Sequence, residues 1–251
     1  MPESDKLTRS SRDGTSPPEG ILIVDKPLGM SSFGVVARVR RRAGGVRTGH
    51  AGTLDPLATG VLVLALGKAT KSIDRLMATD KRYRTIIDLS AFTSTDDREG
   101  ERTEVAVAAP PSNDEVASAV ARFVGTIQQR PPAFSAMKVG GRRAYALARD
   151  GAPPELPPRP VRVDAIEVLR YAWPELEIDI RCGKGTYIRS LARDIGVALG
   201  TGGHCATLRR TAVGPFTEEM SVPLDRLPER IDSDDLVPVE RALALVAPPN
   251  A

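Results

Sequence analysis

The chain has 251 residues, 41% of them apolar and 27% charged, which is typical of a globular protein with one substantial core. Its formal net charge is only +3, and no apolar run reaches the roughly 20 residues of a membrane-spanning helix. Two cysteines and two histidines exclude a zinc ribbon and a disulfide framework, so we expect no metal, no cofactor and a reducing, cytoplasmic environment.

The N-terminal half predicts alternating strands and helices. Residues 1–19 have mixed charge and no apolar core, which predicts a disordered leader. ILIVDKP predicts a buried strand, and SSFGVVARVRRRAGG a helix with Phe33, Val36 and Val39 on its apolar face and arginines opposite. GVLVLALG and RYRTIIDLSAF then predict strands, with a helix at KATKSIDRLMA between them.

The C-terminal half continues the mixed pattern. Ser112 and Glu115 form a capping-box signature, which predicts a helix over VASAVARFV. Residues 130–160 are rich in Pro, Gly and Arg and predict a projecting insertion, with a helix that ends at Gly151. VRVDAIEVLRYA and LEIDIRCG predict strands, and TYIRSLARDIGVALG predicts an amphipathic helix that ends at Gly200.

One carboxylate, Asp55, lies in the glycine-rich segment GHAGTLDPLATG. Pro56 biases Asp55 away from helical dihedral angles, and the neighbouring glycines permit close approach by a ligand. A lone Asp-Pro is usually a turn in which the Asp side chain binds its own backbone. The nearby His50 and the density of glycines favour a functional site instead.

Two other residues have chemistry that such a carboxylate would use. Arg189 lies in the first turn of its predicted helix, beside the apolar stripe. Most arginines at such a position are on the surface, but an inward-facing Arg189 would need an anionic partner, and Asp55 is a candidate. Tyr83, between two arginines at the start of a strand, is either a cross-strand packing residue or a stacking platform for a base.

Six blocks occur in this order: GILIVDKPLGMSSF, RTGHAGTLDPLATGVLVLALGKATK, DKRYRTIIDL, RPPAFSAMKVGGRRAYALARDG, CGKGTYIRSLARDIG and LRRTAVGPF. Over about residues 20–240 the chain resembles the bacterial TruB family of tRNA pseudouridine synthases, and the second block is the most specific. The resemblance implies an α+β pseudouridine synthase fold. This fold has a mixed, mainly antiparallel central sheet flanked by helices, with residues 130–160 as a thumb-like RNA-binding insertion.

The resemblance also implies an activity, the isomerisation of the uridine at position 55 in the T-loop of tRNA. The bond from N1 to C1′ breaks, the base turns, and C5 bonds to C1′. Asp55 matches the catalytic aspartate of the family. Tyr83 matches the tyrosine that stacks on the target base and takes part in proton transfer, and Arg189 matches the arginine that pairs with the acid.

Substrate-binding roles follow from the same resemblance. Lys26, with Pro27, matches a block that supports the active-site loop. His50 matches a histidine that enters the T-loop and holds the base out, and Leu208 matches an apolar position lining the pocket. The basic thumb residues, which would bind the RNA backbone in a salt-sensitive manner, are Lys138, Arg142 and Arg143.

The partner implied is the T-arm stem-loop of tRNA, bound by a monomer without a membrane or an obligatory protein partner. The family usually carries a small C-terminal RNA-binding module, either of the PUA type or a shortened relative of it. Residues 241–251 predict only a short tail, so we expect no PUA domain and a weaker affinity for tRNA than in a relative that carries one.

Two other functions are compatible with the residues. A noncatalytic RNA-binding or tRNA-folding protein would use the same basic tracts, although the joint presence of Asp55, Tyr83 and Arg189 argues against it. A hydrolase of the glycosidic bond would need a second carboxylate, for which Asp25 and Asp96 are the candidates.

Overall fold

The computed structural model of the protein describes residues 16–135, 137–150, 152 and 154–246. Within them the strands are β1 (Gly20–Lys26), β2 (Thr48–His50), β3 (Ala58–Leu66), β4 (Lys81–Asp88), β5 (Ala91–Thr93), β6 (Arg102–Glu104), β7 (Gly125–Gln129), β8 (Lys138–Val139), β9 (Arg142–Arg143), β10 (Arg159–Ala172), β11 (Glu175–Cys182), β12 (His204–Val213), β13 (Phe216–Thr217) and β14 (Val222–Pro223). The α-helices are α1 (Ser32–Arg42), α2 (Ile73–Met77), α3 (Asn113–Ala121), α4 (Ala144–Arg149), α5 (Ile188–Leu199) and α6 (Val239–Val246).

One large sheet organises the protein, with the strand order β14-β1-β3-β12-β4-β11-β10-β7. Strand β2 pairs with β3 and β13 pairs with β12 at its margins. Neighbours in the main order are antiparallel except for β1 with β14 and β12 with β3. The predicted α+β fold with a mixed, mainly antiparallel sheet is therefore confirmed.

The core consists of two apolar clusters on opposite faces of this sheet. Alternate residues of a strand point to opposite faces. Leu62 and Leu64 of β3 belong to the larger cluster, which packs against α1, α3 and α5. Val61 and Val63 belong to the smaller cluster, which includes residues of α2 and α6. Both faces of this part of the sheet are covered, so β3 reads as a continuous apolar run.

Helix α1 begins after its N-cap Ser31, and its buried apolar residues are Val35, Val36 and Val39. Phe33 is 77% exposed, so its predicted place on the apolar face is wrong. At 3.6 residues per turn, Phe33 lies about 110° around the helix from the centre of the buried valines. Spacing of three residues from Val36 therefore does not bring Phe33 to the core. The opposite face carries arginines, as predicted.

Two predicted helix ends are confirmed. Ser112 and Glu115 form both bonds of a capping box at the start of α3. Gly200 ends α5 with a left-handed φ of 68°. The segment KATKSIDRLMA is less regular than predicted, because a 3-10 turn over Gly67–Ser72 precedes the short helix α2.

The insertion lies between β7 and β10, and we call residues 130–160 the thumb. Its prolines suggested irregular backbone, yet β8 and β9 pair as a small antiparallel hairpin ahead of the predicted helix, α4. Gly151 lies outside the described residues, as do residues 1–15 of the predicted leader. Near the other end, α6 buries Ala242 completely. None of the described helices has both the length and the apolar character needed to cross a bilayer.

Candidate active site

Asp55 lies in the irregular segment of residues 51–57 between β2 and β3, which we call the Asp55 loop. Ser32, at the start of α1, holds this loop. Its Oγ donates to the carbonyl oxygen of Leu54 at 2.9 Å and accepts from the Leu54 amide at 2.8 Å. The side chain of Asp55 remains 37% exposed, so the acid is accessible at the surface of the core.

Arg189 binds this acid from the first turn of α5. Its Nη2 lies 2.9 Å from Oδ2 of Asp55, and its Nη1 lies 3.0 Å from Oδ2 of Asp97. The guanidinium also donates to the carbonyl oxygens of Thr95 and Phe134, both at 2.9 Å. The Arg189 side chain is only 5% exposed, and two carboxylates offset the several kcal/mol that an unpaired buried charge would cost. The structure therefore brings together the predicted pair of Asp55 and Arg189.

Asp97 is a member of this site that sequence reasoning missed. It is buried, and its carboxylate accepts from Oγ1 of Thr95 at 2.6 Å and from the amide of Glu99 at 3.0 Å. These bonds fix the carboxylate that binds the far edge of Arg189. The sequence gives one signal: a buried arginine presents two donor edges, so a second acid is expected.

The two acids that the sequence offers as second carboxylates have other partners. Asp96, with a positive φ of 60°, pairs with Nη1 of Arg193 at 2.7 Å. Asp25 forms a bidentate pair with Arg209, with both distances at 3.0 Å. Neither is bound to Arg189. Of the acids in the described residues, Asp55 and Asp97 are the ones within salt-bridge distance of that guanidinium.

Tyr83 lies on β4 between Ile180 of β11 and Arg210 of β12. Its ring is partly buried and packs against the larger apolar cluster. Burial raises the pKa of Tyr83, whereas the nearby charge of Arg210 lowers that pKa; the charge of Asp55 adds to the rise. Leu208 is two residues before Arg210 and belongs to the same apolar cluster. Tyr83 and Leu208 thus lie on the sheet face that carries the larger cluster.

Lys26 is completely buried at the end of β1. Its Nζ donates to the carbonyl oxygens of Met30 at 2.6 Å, Pro27 at 2.9 Å and Pro56 at 3.4 Å. Lys26 therefore ties β1 to the segment before α1 and to the residue after Asp55. Desolvation lowers the pKa of Lys26 to about 8, and the charge of Asp55 opposes this change.

His50 lies on β2, at the entrance to the Asp55 loop, and is partly exposed. Desolvation lowers the pKa of His50, and the charge of Arg210 acts in the same direction. A lowered pKa favours the neutral form of the imidazole. Its Nδ1 is buried and has no hydrogen-bond partner among the described residues. A neutral ring is suited to packing against a base rather than to binding a phosphate.

The thumb meets this site through its first residues. The carbonyl oxygen of Phe134 accepts from Arg189, as described above. Just before the thumb, at the end of β7, the side chain of Gln129 exchanges two hydrogen bonds with the backbone of Tyr187, at 3.1 and 2.8 Å. Arg142 forms an exposed ion pair with Asp150. The side chains of Lys138 and Arg143 lie outside the described residues.

Two family models together match residues 40–244 of the chain. Residues 40–188 match the N-terminal domain of TruB family pseudouridylate synthases, and residues 189–244 match the tRNA pseudouridylate synthase B C-terminal domain. The chain belongs to the TruB family. Asp55 and Tyr83 lie within the first match, whereas Lys26 lies before it. Arg189 is the first residue of the second match.

Relatives of known name agree with this assignment. The tRNA pseudouridine synthase B of Mycobacterium sp. (strain KMS) is 50% identical over 83% of this chain and 71% of its own length. That of Caulobacter sp. (strain K31) is 48% identical over 89% of this chain and 74% of its own. The chain is therefore a pseudouridine synthase, an RNA-binding isomerase that converts uridine to pseudouridine in tRNA.

Solved structures extend the likeness to the fold. A chain in the crystal structure of a Cbf5-Nop10-Gar1 complex is 30% identical and superposes with a TM-score of 0.69, over 90% of this chain and 62% of that one. A chain of an H/ACA RNP bound to a substrate RNA containing 2′-deoxyuridine is 31% identical, with a TM-score of 0.63, over 83% and 52%. This TruB family chain thus spans between half and two thirds of those structural relatives.

Proposed function

We propose that this enzyme isomerises the uridine at position 55 in the T-loop of tRNA, with Asp55 as its catalytic aspartate. The observation that carries the proposal is the 2.9 Å contact between the accessible Asp55 carboxylate and the buried Arg189 guanidinium. A fixed cation favours the ionised form of a neighbouring carboxylate, and a nucleophile or base must be ionised. Asp97 fixes the cation in turn.

The reaction needs the target base outside its stack, because N1, C5 and C1′ are inaccessible within a folded T-loop. In this proposal Tyr83 stacks on the extruded uracil, Leu208 lines the same face, and neutral His50 occupies the space that the base leaves. The bond from N1 to C1′ breaks, C5 bonds to C1′, and the proton on C5 is released while N1 gains one. Bond breaking and bond making within one nucleotide require neither a redox cofactor nor water activation.

RNA affinity comes from basic surfaces around the acid. The exposed arginines of α1, Arg38, Arg40 and Arg41, and the thumb residues 130–160 would neutralise phosphates of the T-arm. We propose a monomeric, cytoplasmic enzyme that needs no obligatory protein partner. The thumb contact at Phe134 links RNA bound there to the guanidinium that holds Asp55.

The test is release of tritium from 5-tritiated uridine in a T-arm stem-loop, comparing wild type with Asp55→Asn. The variant keeps the shape of the side chain and removes its charge, so we expect wild-type affinity for the stem-loop without turnover. Turnover by Asp55→Asn near the wild-type rate would overturn the assignment. A stem-loop with its target uridine moved by one position controls for the site of modification.

Two outcomes would support the other functions. Tight binding by wild type without tritium release would favour a noncatalytic RNA-binding protein. Release of free uracil would favour a hydrolase, which the ion pairs of Asp25 with Arg209 and of Asp96 with Arg193 disfavour, because both acids are already engaged.

A further inference from the structure

Arg210 is the largest side chain of the described core that is fully buried, with only 1% of it exposed. No Asp or Glu carboxylate of the described residues lies within salt-bridge distance of its guanidinium. A buried charge without an ion pair is costly, so the guanidinium of Arg210 needs other hydrogen-bond acceptors. In this protein, backbone carbonyl groups take the place of an acid.

Two of these carbonyl groups belong to the Asp55 loop, and the third lies in β3, after the loop. Nε of Arg210 donates to Val61 at 2.7 Å, Nη2 to Gly52 at 3.1 Å and Nη1 to Thr53 at 3.4 Å. Gly52 and Thr53 precede Asp55, and Val61 follows it. One planar guanidinium therefore connects the start of the Asp55 loop to β3, the strand that follows the loop. A lysine ammonium is a point charge on a flexible stem and cannot reach all of these oxygens with a fixed fork.

The backbone of Arg210 is fixed as tightly as its side chain. It pairs with Gly60 of β3 on one side and Tyr83 of β4 on the other. Gly60 has a φ of +99°, and a Cβ atom placed on it would lie 2.2 Å from the carbonyl oxygen of Arg210. Only glycine permits this close approach, and it brings the guanidinium beneath the Asp55 loop and beside Tyr83.

Arg189 and Arg210 thus act on different parts of the same site. Arg189 binds the carboxylate of Asp55, whereas Arg210 binds the backbone that presents it. Arg210 also opposes the rise in the pKa of Tyr83 that burial causes, and it lowers the pKa values of His50 and Lys26. The charge of Arg210 therefore lowers the pKa values of three residues around the acid, Tyr83, His50 and Lys26.

We propose that Arg210 is a positioning residue for the isomerisation, which connects the Asp55 loop to β3 and orients its cross-strand neighbour Tyr83. The inference rests on the proposed function. It predicts that weakening the fork at Arg210 slows the chemical step while the affinity for RNA is kept. A misplacement of about 1 Å at a reacting group costs about 100-fold in rate.

The experiment compares Arg210→Lys with Arg209→Lys by single-turnover tritium release from the T-arm stem-loop. Arg209 is the adjacent residue on the opposite face, where it pairs with Asp25 and Glu218, and both changes keep the charge. We expect the rate constant of Arg210→Lys to fall about 10- to 100-fold, while its dissociation constant for the stem-loop changes less than about threefold. Arg209→Lys should keep the wild-type rate constant.

The rate constant and the fraction of active enzyme separate positioning from folding. A purely structural defect lowers the fraction of active enzyme, which titration with the stem-loop measures, but at saturating enzyme it leaves the single-turnover rate constant unchanged. Equal rate constants for the Arg210 and Arg209 variants would overturn the inference. Should Arg210→Lys lack a cooperative unfolding transition, Arg210→Gln, which keeps an amide donor without the charge, takes its place under the same criterion.

A second readout is the pH dependence of the single-turnover rate in Arg210→Gln. Removal of the charge removes its opposition to the raised pKa of Tyr83, so any limb of the profile that Tyr83→Phe abolishes should move to higher pH. An unmoved limb would contradict the orientation of Tyr83 by Arg210. Failure of wild type to release tritium would instead contradict the proposed function, and it is seen before any Arg210 variant is made.

Discussion

The Asp55 loop and the thumb serve the same RNA in our proposal, but they are held by different kinds of contact. The loop is fixed by buried hydrogen bonds from Ser32, Lys26 and Arg210. The thumb carries exposed ion pairs, Arg130 with Glu155 and Arg142 with Asp150. Buried polar networks fix geometry, whereas exposed pairs contribute little energy and leave side chains free to rearrange. We infer that the loop determines the rate and the thumb determines the affinity.

The largest effect is expected where the buried network is broken outright. Arg189→Met leaves the buried Asp97 without its cation, so the free energy of unfolding should fall by about 3 to 5 kcal/mol and turnover should be lost. Urea unfolding and tritium release measure the two quantities. Adding Asp97→Asn to Arg189→Met should recover part of the stability and none of the turnover. Full stability in Arg189→Met would mean that the pair contributes nothing to the fold.

The second effect concerns Lys26, which holds the Asp55 loop, and the pH dependence of the free energy of unfolding that it causes. The pKa of Lys26 is lowered to about 8 in the folded protein, from 10.5. Below pH 8 both states bind the proton, and the buried charge weakens the fold. Between pH 8 and 10.5 the unfolded state binds more protons, so this part of the stability rises with pH, by about 3 kcal/mol in all.

Comparison with Lys26→Met isolates this contribution, since the variant has no proton to lose at that position. The difference in unfolding free energy between wild type and variant should be constant below pH 8 and should then move in favour of wild type as the pH rises. Lys81, whose pKa is also lowered to about 8, titrates in both proteins and cancels in the difference. A difference that stays constant to pH 10 would contradict the burial of Lys26.

The smallest effect on stability belongs to the thumb. Arg142→Ala removes an exposed ion pair and should change the unfolding free energy by less than about 1 kcal/mol. The affinity for the T-arm should fall, and the slope of its dependence on salt should decrease by about one charge. The single-turnover rate constant at saturating enzyme should not change. Arg230→Ala, which breaks another exposed ion pair, serves as the matched control.

A slower single turnover in Arg142→Ala at saturating enzyme would remove the division between the two regions. It would mean that the thumb also positions the acid, through the contact of Phe134 with Arg189. An unchanged rate with weaker binding would instead make the division sharper.

The sequence predicts the parts of this protein whose patterns are local. Strands β1 and β3, the capping box of α3 and the glycine end of α5 follow from periodicity and from residues with one strong conformational preference. The pairing of Asp55 with Arg189 was a candidate because a cation beside an apolar stripe needs an anion. The structure brings these two residues into contact, and their catalytic roles remain predictions.

The rest depends on contacts between distant segments, which local patterns do not reveal. Asp96 and Asp97 are adjacent in a polar turn, and only the fold determines which one turns inward. In the same way, the identity of the two residues does not show which of Arg209 and Arg210 is buried. Alternation along β12 gives a signal for the second pair, because Arg210 shares the face of the buried Leu208. Phe33 shows the reverse error, an apolar residue that fits a spacing but not the buried arc.

The hydroxyl of Ser32 has a mechanical consequence. It both donates a hydrogen bond to the backbone of Leu54 and accepts one from it, next to the Asp55 carboxylate, and Ser32 is the first residue of helix α1. A shift of helix α1 would therefore move the Asp55 loop as well. A nucleic acid strand seated on the outward arginines of that helix would therefore set the depth at which the carboxylate meets the nucleotide, so that docking and alignment become a single event.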